Sequence, residues 1–106
     1  MSAKSVNAAK VIGQYSDFVV GCYTKQPVVF TRGKDVWLWD AAGRKYLDFF
    51  AGWAVSGLGH CHPVVAKAIA DQTKALIHLP NNFYHAGQGE LAEAIVKRAF
   101  PGKVFF

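Results

Sequence analysis

The sequence predicts an α/β segment, a three-stranded antiparallel meander followed by two helices. Three short β-branched and aromatic runs lie between residues 28 and 50, separated by tight turns. Beyond Pro63 the apolar residues recur at helical spacing. Hydrophobic residues make up 52% of the chain and charged residues 18%, which fits a packed segment and excludes disorder.

Residues 1–14 are small and polar and are expected to fray. Tyr15 to Tyr23 is apolar and is expected to start as a short helix before Gly21. Gln26-Pro27 ends any helix there, because the residue before proline avoids the α region. Val28-Val29-Phe30-Thr31 is the first strand, and Arg32-Gly33-Lys34-Asp35 the first turn. Val36-Trp37-Leu38-Trp39 is the second strand. Asp40-Ala41-Ala42-Gly43 turns the chain again, with glycine where φ can be positive. Lys45 to Phe50 is the third strand.

Ala51 to His62 is rich in glycine, a composition that lets backbone pass close to another group. Pro63 opens a helix, where its missing N–H costs nothing. Val65, Ile69, Leu76 and Leu79 fall on one face of it. Lys67, Asp71, Lys74 and His78 fall on the other. About four turns are expected, ending at Pro80. Asn81 to Gly89 reads as loop. Glu90 to Phe100 reads as a second helix, with Leu91 and Ile95 inward and Glu93–Lys97 as a pair one turn apart. Pro101-Gly102 stops it.

Val104-Phe105-Phe106 then reads as the first residues of a buried strand, cut short, since termini are usually polar and exposed. The other reading is a final strand docked on the meander.

A chain of 106 residues allows one domain at most. Its net charge of +5 is spread out, with no basic run that would mark a nucleic-acid arm or a membrane patch. Cys22 and Cys61 are too few for a disulfide framework and read as reduced thiols of a cytoplasmic protein. There is no signal-peptide pattern and no apolar stretch of membrane-spanning length.

The densest polar cluster is Gly59-His60-Cys61-His62-Pro63. A metal site would use His60, Cys61 and His62 with His78 or His85, but adjacent residues point in different directions. A Cys–His nucleophile pair lacks a third orienting group. The local reading has His62 capping the helix and His60 packing or hydrogen-bonding nearby. Trp37, Trp39, Phe49, Phe50 and Trp53 could stack nucleic-acid bases, but strand alternation assigns most of them to structure.

The run from Arg32 to Pro63 carries more. It holds, in order, Gly33, Trp39-Asp40, Gly43, Tyr46-Leu47-Asp48-Phe49, Gly52 and Leu58-Gly59-His60-Cys61-His62-Pro63. This string closely resembles the class-III aminotransferases. The resemblance continues through the Asn81-Asn82-Phe83-Tyr84 loop and the Glu90-Leu91-Ala92 helix. Within the class it looks most like the acetylornithine and ornithine group, with the 4-aminobutyrate group close.

The resemblance implies the type-I pyridoxal-phosphate fold and a homodimeric subunit several times longer than this chain. Residues 15–62 then belong to the small domain, and 63–106 lead into the large one. It implies amino transfer from N-acetylornithine or a similar basic amino acid to 2-oxoglutarate, with pyridoxal 5'-phosphate as cofactor. The cofactor's lysine, its ring-nitrogen partner and its phosphate turn would lie beyond position 106. No catalytic, cofactor-binding or metal residue is expected here, and no nucleic-acid or membrane partner.

By the same resemblance Tyr23 and Trp53 line the substrate pocket, while Phe83 and Tyr84 approach it across the dimer. Trp53 departs from the small aliphatic residue common in acetylornithine enzymes, which leaves the donor open. The alternative is a stand-alone binding module that keeps this scaffold without catalysis.

Overall fold

The computed structural model describes residues 6–106, so the first five residues of the stretch expected to fray lie outside it. The element order is α1 (Ala8–Phe18), β1 (Phe30–Lys34), β2 (Trp37–Asp40), β3 (Lys45–Leu47), α2 (Pro63–Ala75) and α3 (Ala86–Arg98). The chain divides into two compact units, one running to Ala68 and the other from Ile69 to Phe106.

Helix α1 starts well before Tyr15. Asn7 is its cap, and its Oδ1 accepts from the Lys10 N–H at 3.0 Å. Ala8, Ala9 and Lys10 are strong helix formers, which outweighs the polarity that suggested fraying. Val19 is extended, and its N–H closes the helix on the Tyr15 carbonyl.

The three strands form one antiparallel sheet in the order β1-β2-β3. Lys34 pairs with Trp37, so the first turn is Asp35-Val36 and not Arg32 to Asp35. Gly33 lies within β1 opposite Leu38. The positive φ falls on Asp35, at 51°, a residue type that tolerates the left-handed region. A bulge between Phe30 and Arg32 resets the register. Strand β3 stops at Leu47, earlier than Phe50, because Asp48 takes over the next backbone amides.

One sheet face carries the cross-strand row Arg32, Trp39 and Lys45. The Arg32 guanidinium lies 4.3 Å from the Trp39 ring centre, and the Lys45 ammonium 3.7 Å from that of Trp37. The other face carries Phe30 edge-on to Tyr46, with ring centres 5.3 Å apart.

Asp40 is the most buried of these groups, at 5% exposure. Its Oδ1 accepts from the Ala42 and Arg44 backbone N–H groups, both at 2.9 Å. Its Oδ2 accepts from Arg44 Nε at 2.7 Å and from the Tyr46 hydroxyl at 2.9 Å. Gly43, at φ 80°, completes the β2–β3 turn.

Burial pushes the Asp40 carboxyl up, but the donors from Arg44, Tyr46 and Ala42 outweigh it and hold it at about 2. An unfolded aspartate titrates near ~3.9. Because the folded value is the lower one, the stabilisation is complete above the unfolded value and is lost as the pH falls through the folded one. Tryptophan fluorescence on acid titration is therefore expected to change between about pH 5 and about pH 2. Asp40→Asn is expected to remove most of that change, and an identical acid limb in the variant would refute the assignment.

Helix α2 begins at Pro63 as the sequence predicts, but ends at Ala75. Gln72 Nε2 donates to the Leu76 carbonyl at 2.8 Å and closes the end, ahead of Leu79, the one residue that Pro80 keeps out of the α region. Helix α3 starts at Ala86, four residues ahead of Glu90. Gly87 and Gly89 read as loop, yet a helical glycine costs only about 1 kcal/mol against alanine. Lys97 and Glu93 pair as expected. Val104 to Phe106 form no strand, and the Phe106 carbonyl accepts from Asn81 Nδ2 at 3.1 Å.

Candidate functional site

The glycine-rich segment after β3 holds the most constrained backbone in the first unit. Ala51, Gly52, Trp53 and Ala54 have φ of 50, 59, 61 and 64° in succession. Three of them carry a Cβ, and each such residue costs about 1–2 kcal/mol in the left-handed region. Backbone held in this way marks places where a shape is imposed by its surroundings, often for function.

Asp48 opens the segment. Its N–H bonds the Val36 carbonyl at 2.9 Å, fixing it to the sheet. Its Oδ1 accepts from the Phe50 and Ala51 N–H groups, each at 2.9 Å. Its Oδ2 lies 2.7 Å from His60 Nε2. The His60 bond, with those from Ala51 and Phe50, holds the Asp48 carboxyl below its ordinary range.

His60 closes the segment. It exchanges two backbone bonds with Asp35, 2.7 Å from its own N–H and 3.0 Å to its carbonyl. Its ring presses on Gly33, where an added Cβ would stand 2.7 Å from His60 Cβ. Gly59, at φ 91°, lies so close that a Cβ there would meet the Asp35 backbone at 3.1 Å. Two glycines therefore make the seat for this histidine.

The structure places the four pocket residues expected from sequence as follows. Trp53 is 84% exposed, within the left-handed run, with its ring 4.9 Å from that of Phe50. Tyr23 is exposed in the irregular segment after α1, and no ring contact joins it to Trp53 among the described residues. Phe83 and Tyr84 are exposed in the α2–α3 connection of the second unit.

The plainer reading of the His-Cys-His cluster had His60 packing or bonding nearby, but its ring bonds Asp48, twelve positions earlier in the chain. His62 Nδ1 has no hydrogen-bond partner, so its side chain does not cap α2, and only its carbonyl accepts, from the Ala66 N–H. Among the described residues no group of three His, Cys, Asp or Glu side chains could hold a metal ion.

Pyridoxal phosphate needs a lysine for its carbonyl carbon and an acidic partner for its ring nitrogen. Every described lysine is exposed. Lys25 borders an apolar hollow of about 570 Å³ with Val11, Tyr15 and Phe30, but no carboxylate lines it. The residues present therefore do not make a site for that cofactor, and no chemical step is assigned through it.

Two hubs escaped the sequence reading, Asp40 and the Asp48–His60 pair. The first had a usable signal, since Arg44 precedes β3 by one residue and Tyr46 lies two positions on, a spacing that puts both on one side in extended chain. The second is a contact over twelve positions, and no local pattern encodes it.

Residues 21–106 match the family model of class-III aminotransferases. The chain is 43% identical over 89 residues to the acetylornithine aminotransferase of Caldanaerobacter subterraneus subsp. tengcongensis, covering 84% of this chain and 23% of that protein. It superposes on the acetylornithine aminotransferase of Elizabethkingia anophelis with a TM-score of 0.81 at 30% identity, covering 87% of this chain and 23% of that one. For the N-acetylornithine aminotransferase of Stenotrophomonas maltophilia the TM-score is 0.72 at 43% identity, over 78% of this chain and 23% of that one. The chain thus spans about a quarter of the length of the relatives it matches.

Proposed function

The chain belongs to the class-III aminotransferases, and from that premise we propose that the protein moves an amino group from N-acetylornithine or a similar basic amino acid to 2-oxoglutarate. The observation that carries this reading is the 43% identity to an acetylornithine aminotransferase across 84% of the chain. Pyridoxal phosphate, when bound, supplies the electron sink. The lysine that holds it comes from residues other than these.

The chain's own part is to wall the substrate pocket. Tyr23, Trp53, Phe83 and Tyr84 are large rings left exposed, free to meet a substrate or a second subunit. A homodimer in the cytoplasm suits the exposed Phe83–Tyr84 loop and the two free cysteines. Nucleic acid is a poor fit, because Arg32 and Lys45 already cover the Trp39 and Trp37 rings. No described helix is long and apolar enough to cross a membrane.

The test is a transaminase assay of the complete polypeptide loaded with pyridoxal phosphate. N-acetylornithine, ornithine and 4-aminobutyrate are offered in turn with 2-oxoglutarate. Glutamate forming fastest from N-acetylornithine supports the reading, and no glutamate from any donor ends it.

No apolar side chain is fully buried among the described residues, whereas Phe49, Val55, Ile77 and Phe105 are each more than four-fifths exposed. Without buried apolar area there is little to offset chain entropy. The 106 residues by themselves are therefore expected to melt without a sharp transition and to bind a hydrophobic dye. A single cooperative melt with no dye binding would favour a stand-alone module instead.

A further inference from the structure

We propose that Asp48 and His60 form a positioning clamp that holds the left-handed turn over 51–54 and thereby fixes the ring of Trp53. Packing does not hold this turn, because Trp53, Phe49 and Val55 are all more than four-fifths exposed. Its own backbone holds it weakly. The Ala54 to Phe50 and Val55 to Gly52 bonds are both 3.4 Å, and only Ser56 to Ala51 is short, at 2.9 Å. The short bonds at its entrance all end on Asp48, whose Oδ1 takes two amides at 2.9 Å and whose Oδ2 meets His60 at 2.7 Å.

The clamp is itself anchored to the sheet at both ends. Asp48 is tied to Val36 through its N–H, and His60 to Asp35 through two backbone bonds. Gly33 and Gly59 leave the room that this crossing needs. The side-chain pair therefore closes a ring around the segment. Without His60, Asp48 Oδ2 loses its partner, the carboxylate is free to turn, and the amides of Phe50 and Ala51 lose their common acceptor. Asp48 and His60 touch no substrate in this scheme and act through Trp53.

The catalytic consequence rests on the reading of Trp53 as a pocket wall. The conformational half does not, and the test separates them. In the complete, cofactor-loaded polypeptide, Trp53→Ala, His60→Ala and the double variant are compared for the KM of the amino donor. Amide hydrogen exchange is followed at Phe50 and Ala51. His60→Ala is expected to speed exchange at both amides by roughly tenfold or more, the loss of a hydrogen bond to a charged acceptor. It is expected to raise KM with little change in kcat, and to add nothing when Trp53 is already alanine.

His60→Gln, whose amide can still donate to Asp48, is expected to restore part of the protection. Asp48→Ala serves as the second variant if His60→Ala does not fold. Unchanged exchange in the folded variant overturns the clamp, and so does a KM effect that adds in full to that of Trp53→Ala. Lost protection with a silent Trp53→Ala leaves the clamp standing and removes Trp53 from the pocket.

Discussion

Replacing Gly33 with alanine is expected to unseat His60 and to loosen the sheet around it. The new Cβ would stand 2.7 Å from His60 Cβ and 2.8 Å from its Cγ, contacts that real side chains do not make. The atoms it meets are the root of the histidine and not a flexible tip, so the relief must come from His60 moving as a whole. That motion pulls on the paired backbone bonds to Asp35 and on the 2.7 Å bond to Asp48. Overpacking of this kind costs about 1–3 kcal/mol. Alanine also restricts the unfolded chain, which offsets only about 0.4–1 kcal/mol, so destabilisation wins.

Gly13 provides the control. It lies inside α1 with nothing within 4 Å of an added Cβ, and alanine there is expected to stabilise the helix by about 1 kcal/mol. Amide exchange at Asp35 and His60 reads both outcomes. Gly33→Ala should accelerate these amides by roughly tenfold or more, since about 1.4 kcal/mol is a factor of ten, and Gly13→Ala should leave them alone. Unchanged rates in Gly33→Ala would mean that the histidine is not seated on this glycine.

The same pair of glycines shows what was legible in the sequence and what was not. The meander was legible because its strands are β-branched and aromatic and its turns carry Asp and Gly, all local signals. Pro63 marked the start of α2 for an equally local reason. The first turn was misplaced by two residues because Gly33 looked like turn glycine. Its real task is close approach to His60, which is far away in sequence. The left-handed run over 51–54 was equally hidden. Glycine richness signalled permissive backbone, but Ala51, Trp53 and Ala54 have no intrinsic reason to enter that region. They are held there by Asp48, a side chain whose partner His60 is fixed only when the sheet exists. Pocket roles for Tyr23, Trp53, Phe83 and Tyr84 came from family resemblance, and no spacing rule would have singled them out.

Asp40→Ala is expected to be the most damaging single change in the sheet. The carboxylate receives four donors, two from the turn backbone, one from the Arg44 guanidinium and one from the Tyr46 hydroxyl. Removing it leaves all four without this acceptor, and although the exposed Arg44 side chain can turn to water, a donor left without a partner beside the buried Asp40 position costs more than a made bond contributes. Because each of the four has a different replacement, the variants should fall in a fixed order.

Tyr46→Phe deletes one donor and leaves the acceptor content with the rest, so its effect should be the smallest. Asp40→Asn keeps Oδ1 for the two turn amides, but its Nδ2 then faces Arg44 Nε donor against donor, while the Tyr46 hydroxyl can turn to accept. It should therefore preserve the Ala42–Arg44 turn while splaying β3. Asp40→Ala should lose both. Amide exchange distinguishes these outcomes. Ala42 and Arg44 should exchange at near wild-type rates in Asp40→Asn, and roughly tenfold or more faster in Asp40→Ala. If alanine proved no worse than asparagine, the turn would be held by Gly43 and the β2–β3 pairing, and Asp40 would be an anchor for Arg44 and Tyr46 alone.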